Sequence, residues 1–79
     1  MTKAEVKKLL DRSEFLEEET KKYTEQYREL SEKGKDTIFQ VSQLSALSAR
    51  KQELDLICSL LTGKYLLYFQ EEGLDSLEQ

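Results

Sequence analysis

Glu32-Lys33-Gly34-Lys35-Asp36 is where this chain either turns back or runs on. As a stop, Gly34 ends one helix and Asp36 caps the next, which gives an antiparallel hairpin. As an interior residue, Gly34 costs ~1 kcal/mol relative to alanine. No proline and no cluster of turn formers surrounds it. A series spaced by fours and threes also passes through it: Leu16, Thr20, Tyr23, Tyr27, Leu30, Gly34, Thr37, Val41, Leu44 and Ser48. That is the a/d rhythm of a coiled-coil seam. After Leu44 a three-residue slip, which locally overwinds a coiled coil, opens a second series: Leu47, Lys51, Leu54, Cys58, Leu61, Tyr65 and Tyr68. The spacing favours continuity, with one helix from Thr2 to about Glu72, on the order of 100 Å long at ~1.5 Å per residue. A rod of that length cannot cover its own apolar stripe, so other helices are expected to cover it.

The ends carry their own signals. Thr2 with Glu5 three residues later reads as a capping box. Gly73 follows Gln70-Glu71-Glu72 and precedes Leu74, which is placed to fold back on Phe69, the pattern of a Schellman stop. Gly63, between Thr62 and Lys64, lacks the apolar follower such a stop prefers. Asp75-Ser76-Leu77 reads as the opening of a further turn or helix.

Charge divides the chain near Asp36. Residues 1–36 hold nine basic and ten acidic side chains, residues 37–79 only three and six, and none lies between Thr37 and Ala49. The first part reads as a highly charged coiled-coil helix that stands in water with a narrow seam covered. Residues 37–72 read as an apolar, charge-poor interaction helix, suited to contact on more than one side. Residues 73–79 read as a helix stop and the start of a truncated following segment. The expected fold class is all-α, a long helix or helices forming a coiled coil or helical bundle with partner chains.

Composition narrows the function. In 79 residues there is one cysteine, no histidine and no proline, which removes disulfide staples, the commonest general base and the commonest metal ligand. A net charge of −4 and a pI near 4.9 argue against nucleic-acid binding. Neither catalysis nor a cofactor or metal is expected. Glu14, Glu17, Glu18 and Glu19 read as a solvated face, with Glu17–Lys21 and Glu18–Lys22 as i,i+4 pairs. Gly63-Lys64 lacks the flanking residues of a phosphate-binding loop. Cys58 reads as a small buried hydrophobe. The longest apolar run, Tyr65–Phe69, is far short of the ~20 residues of a membrane span, and no signal-peptide or lipidation pattern is visible. A cytoplasmic address without direct membrane insertion is expected.

Several blocks of the second half resemble a known family. Asp36-Thr-Ile-Phe-Gln-Val-Ser-Gln-Leu44, then Lys51-Gln-Glu-Leu54, Cys58-Ser-Leu-Leu-Thr62, Tyr65 and Gln70-Glu-Glu72 are similar to the N-terminal coiled-coil region of subunit 6 of the conserved oligomeric Golgi complex. The likeness covers about residues 30–75, and departs from the family pattern at Leu60-Leu61 and Tyr65. It implies a peripheral protein of the Golgi membrane, a non-enzymatic segment of a vesicle-tethering complex in intra-Golgi retrograde transport. It further implies helices bundled with sister subunits, and SNARE or Rab proteins as further partners.

The residues expected to meet partner helices are Ile38, Val41, Leu44, Leu47, Leu54, Cys58, Leu61, Tyr65 and Tyr68. Weak seam positions such as Thr37 and Lys51 favour a mixed bundle over a simple homodimer. Two alternatives stand beside this reading. One is a structural coiled coil of another assembly, cytoskeletal or kinetochore-associated; the other is a compact helical hairpin acting as a regulatory binding domain.

Overall fold

The structure, a computed structural model, describes residues 2–74. Three helices follow one another: α1, Lys3–Glu32; α2, Ile38–Thr62; and α3, Leu66–Glu72. The expected capping box opens α1. The amide of Glu5 donates to Thr2 Oγ1 at 3.2 Å, and the amide of Thr2 reaches Glu5 Oε1 at 3.4 Å.

Gly34 is a turn, which corrects the continuous rod. It adopts φ +69°, a left-handed conformation that glycine reaches without a Cβ penalty. Its amide donates to the Ser31 carbonyl at 3.1 Å and the Lys35 amide to the Leu30 carbonyl at 2.8 Å. These are the two bonds of a Schellman motif, formed here although Lys35 offers no apolar follower. Asp36 Oδ1 then accepts from the Ile38 amide at 2.9 Å, which starts α2.

α1 and α2 are antiparallel. Along them Tyr23 meets Phe39 edge-on at 6.0 Å, Gln40 donates to Gln26 at 3.3 Å, and Lys51 pairs with Glu17 at 3.6 Å. The molecule measures 53 × 18 × 15 Å, about half the length expected of a rod.

A second break divides residues 37–72, which are therefore not one helix. Gly63 takes φ +79° and its amide donates to the Ser59 carbonyl at 2.8 Å. This single-bond left-handed cap needs no apolar follower. Thr62 Oγ1 accepts from the Lys64 amide at 3.2 Å and steadies the elbow. Beyond it, Asp55 Oδ1 accepts from the Leu66 amide at 3.3 Å and ties the start of α3 to α2. Gly73 ends α3 through one bond to the Phe69 carbonyl at 2.9 Å, with φ 82° and ψ 168°. That backbone is not the left-handed helical form of a Schellman stop, yet Leu74 packs on the cluster containing Phe69 as expected. The reading of Asp75–Leu77 lies outside the described residues.

The core sits at the end of the hairpin away from Gly34. Val6 of α1, Cys58 of α2, and Leu66 and Phe69 of α3 form one cluster, each 3% exposed or less. Leu9, Leu10, Leu54 and Leu74 pack around it. Leu16 and Leu47 extend the buried line toward the turn. From residue 17 to residue 46 nothing is buried.

Candidate interaction surface

The nine positions expected to meet other chains fall into two groups. Leu47 and Cys58 are buried, and Leu44 and Leu54 are half-buried. Leu47 faces α1, while Leu54 and Cys58 belong to the core that α1 shares with α3. The hairpin supplies from within one chain the cover a rod would need from outside. Leu54 packs against the core, so a polar substitution there would disturb folding as well as any outward contact. Ile38, Val41, Leu61, Tyr65 and Tyr68 are exposed.

Tyr65 and Tyr68 are outside because the Gly63 elbow resets the helical phase. The seam spacing would carry them inward, but in α3 it is Leu66 and Phe69 that enter the core. Tyr68 lies edge-on to Phe69 at 5.4 Å, with the Lys64 ammonium 5.0 Å from its ring centroid. The geometry suits a cation–π contact worth ~0.5–1 kcal/mol at an exposed site.

Around the elbow, large apolar side chains face water. Leu56, Ile57, Leu60 and Leu61 are all exposed on the last two turns of α2, and their spacing makes them neighbours on its surface. Tyr65 and Leu67 add to the exposed apolar surface in and next to α3. Leu56, Ile57, Leu60 and Leu67 were missed by the seam analysis. The signal was present, since they are the apolar residues left over once the inner series is removed.

Polar groups line the side of the hairpin. A shallow groove of about 360 Å³ is bordered by Ser13, Glu17, Lys51, Asp55 and Tyr65, with α3 along one edge. Lys51 crosses the groove to Glu17, so its place in the seam is explained inside the chain. Thr37 lies at the turn as the N-cap of α2. The two positions that favoured a mixed bundle thus have intramolecular reasons. Glu17 does not take the expected pairing with Lys21, and Lys22 pairs with Glu19 at 3.8 Å rather than with Glu18. The acidic cluster is otherwise solvated, as expected.

The Cys58 thiol is buried at 0% exposure, 3.7 Å from Thr62 Oγ1. Burial pushes its pKa above the ordinary thiol value, the Thr62 hydrogen bond opposes that, and the Asp55 charge adds to it. The thiolate is the reactive form, so this thiol is held in its inert state. Among the described residues no three acidic or cysteine side chains are grouped to hold a metal ion, and no helix is long and apolar enough to cross a membrane. No family model, curated protein or solved structure matches this chain.

Proposed function

We propose that this chain is a non-enzymatic helical assembly module that binds helices of other chains through the apolar surface around its Gly63 elbow. The observation that carries the reading is the exposure of that surface, with Leu60 at 75% and Tyr65 and Leu67 at 61% each. Contiguous exposed apolar surface on a small protein marks interaction sites, and exposed leucines on one helix with aromatic neighbours suit the groove or face of another helix. The hairpin favours a compact binding module over a rod-like structural coiled coil, because both arms of the seam are spent on each other.

The resemblance supplies the setting. In this proposal the partners are sister-subunit helices of a vesicle-tethering complex on the Golgi membrane, with SNARE or Rab proteins as further partners. The test is capture of those helical subunits by the purified chain, compared with a Leu60→Asp, Tyr65→Asp double variant. Position 65 is the N-cap of α3, where aspartate is a favoured residue, so the variant keeps the fold while losing the surface. Capture by the parent and loss in the variant at equal helicity is the expected result. Equal capture by both would place the contact elsewhere, and capture of no helical subunit by the parent overturns the proposal.

A further inference from the structure

α3 is joined to α2 by a short hinge, Gly63, Lys64 and Tyr65. Its hold on the hairpin rests on contacts made beyond that hinge. Leu66 and Phe69 enter the cluster with Val6 and Cys58, and the Leu66 amide donates to Asp55 Oδ1 at 3.3 Å. The occupant of this part of the core is therefore known: it is α3. The α3 of a second copy carries the same side chains and can make the same contacts.

The hinge sequence also suits a straight helix. It holds no proline. With α2 and α3 fused, the amides of Lys64, Tyr65 and Leu66 bond the carbonyls of Leu60, Leu61 and Thr62. Straightening also restores the seam, because Leu54, Cys58, Leu61, Tyr65 and Tyr68 then share one stripe at steps of four and three. In the bent chain that stripe is broken, with Leu61 58% and Tyr65 61% exposed. Two consistent packings thus meet at Gly63. The bent one uses Leu66 and Phe69; the straight one aligns Leu61, Tyr65 and Tyr68.

We propose that α3 is an exchangeable element, with Gly63 as the hinge between a closed monomer and a dimer whose α3 helices are docked reciprocally. Exchange of an identical element preserves the core, since each α3 covers Val6 and Cys58 of the other copy. The balance is then set at the hinges. Where the two straightened hinges cross, Leu61, Tyr65 and Tyr68 of one copy meet those of the other. Burial of this surface favours the dimer. α3 has seven residues, too few to be helical when detached, so it docks on its own chain or on a second copy. The elbow acts here as a hinge, and the proposal does not depend on capture of sister-subunit helices.

Refolded from urea at millimolar concentration, the chain should give a species of twice 9.3 kDa in sedimentation equilibrium. Alanine at position 63 disfavours the bent form, which needs φ +79°, and favours a continuous helix, by roughly tenfold per hinge. Two hinges open per dimer, so Gly63→Ala should raise the association constant about a hundredfold, with helicity equal to the parent's or higher. Tyr65→Pro should do the reverse. Tyr65 has φ −78°, which fits the proline ring, whereas a proline inside a straight helix breaks it; this variant should stay monomeric. In dimer made from equal parts of ¹³C-labelled and unlabelled chain, isotope-filtered NOEs should link Leu66 and Phe69 of one copy to Val6 of the other. A refolded parent that is monomeric at millimolar concentration overturns the proposal. So does a Gly63→Ala chain that associates no more strongly than the parent, or a dimer whose Phe69–Val6 contacts are all within one chain. Mass and NOEs report exchange, and capture of helical subunits reports the elbow surface, so either reading can fail without the other.

Discussion

At one end of the hairpin three helices meet, and at the other only two do. The first end holds Val6, Cys58, Leu66 and Phe69, all 3% exposed or less. The second, around the Gly34 turn, has no buried residue between positions 17 and 46 and is joined by Tyr23 on Phe39 and Gln26 on Gln40. The difference comes from α3. Two helices bury only the narrow line where they touch, and a third closes the wedge beside that line. α3 has seven residues, too few to be helical alone, so it depends on the core that it completes. Tertiary stability is concentrated at the end where the start of α1, the end of α2 and α3 meet.

The largest test of that contrast is Phe69→Ala. Truncating a buried phenylalanine costs ~3–5 kcal/mol, which matches the ~3–5 kcal/mol that a single core supplies at this chain length. The variant should lose its cooperative thermal transition by circular dichroism. Phe39→Ala, 57% exposed at the two-helix end, removes one edge-on contact and should cost no more than about 1 kcal/mol. Equal losses would mean that the core is not where the burial places it. Hydrogen exchange sharpens the same comparison, because amides of residues 20–46 should exchange faster than those around Val6 and Cys58.

Gly34→Ala is the next largest. With φ at +69°, an alanine there costs ~1–2 kcal/mol in left-handed strain. An added Cβ would meet nothing within 4 Å, so the loss is one of backbone conformation alone. In a continuous helix the same change would stabilise by ~0.5–1 kcal/mol. Urea denaturation therefore reads the sign directly, and a stabilised variant would restore the rod.

That change of sign shows what was legible in the sequence and what was not. Helix, the Thr2–Glu5 cap and the inner line through Leu16, Leu47, Leu54 and Cys58 follow from spacing and local chemistry. The turn did not, because both arms of an antiparallel hairpin keep the same four-and-three rhythm, and the series ran through Gly34 as if unbroken. The apolar follower that marks many Schellman turns is replaced here by Lys35, so the local signal was also weak. At the elbow the problem was phase. Spacing alone assigned Tyr65 and Tyr68 to the seam, whereas the backbone reset at Gly63 sends Leu66 and Phe69 inward. The outward surfaces became visible only after the inner residues were assigned.

Cys58 offers a milder probe of the three-helix end. Its thiol pKa is raised in the folded chain, first by burial. A group of that kind contributes fully below the unfolded thiol pKa, and its contribution is lost as pH rises through the folded value. Denaturation midpoints should therefore be flat around neutral pH and fall once the medium is more alkaline than the ordinary thiol pKa. Below that range a thiol reagent should label Cys58 only at the rate at which the core opens, slowing when α3 is stabilised. Rapid labelling of the native chain would show that α3 does not cover the thiol.

The smallest effect belongs to the Glu17–Lys51 pair, which stands between the two ends. Its charged groups are 3.6 Å apart, and both side chains keep a third or more of their exposure. Water and salt screen such a pair, so Lys51→Met should cost only ~0.2–1 kcal/mol. The loss should shrink further at high ionic strength, and the methionine keeps the stem of the lysine packed in the groove. A double-mutant cycle with Glu17→Gln separates the coupling from that packing. A coupling that survives high salt would mean that the groove beside α3 is closed more tightly than its open shape implies. The boundary between the three-helix and two-helix ends would then lie nearer the turn than Leu16 and Leu47.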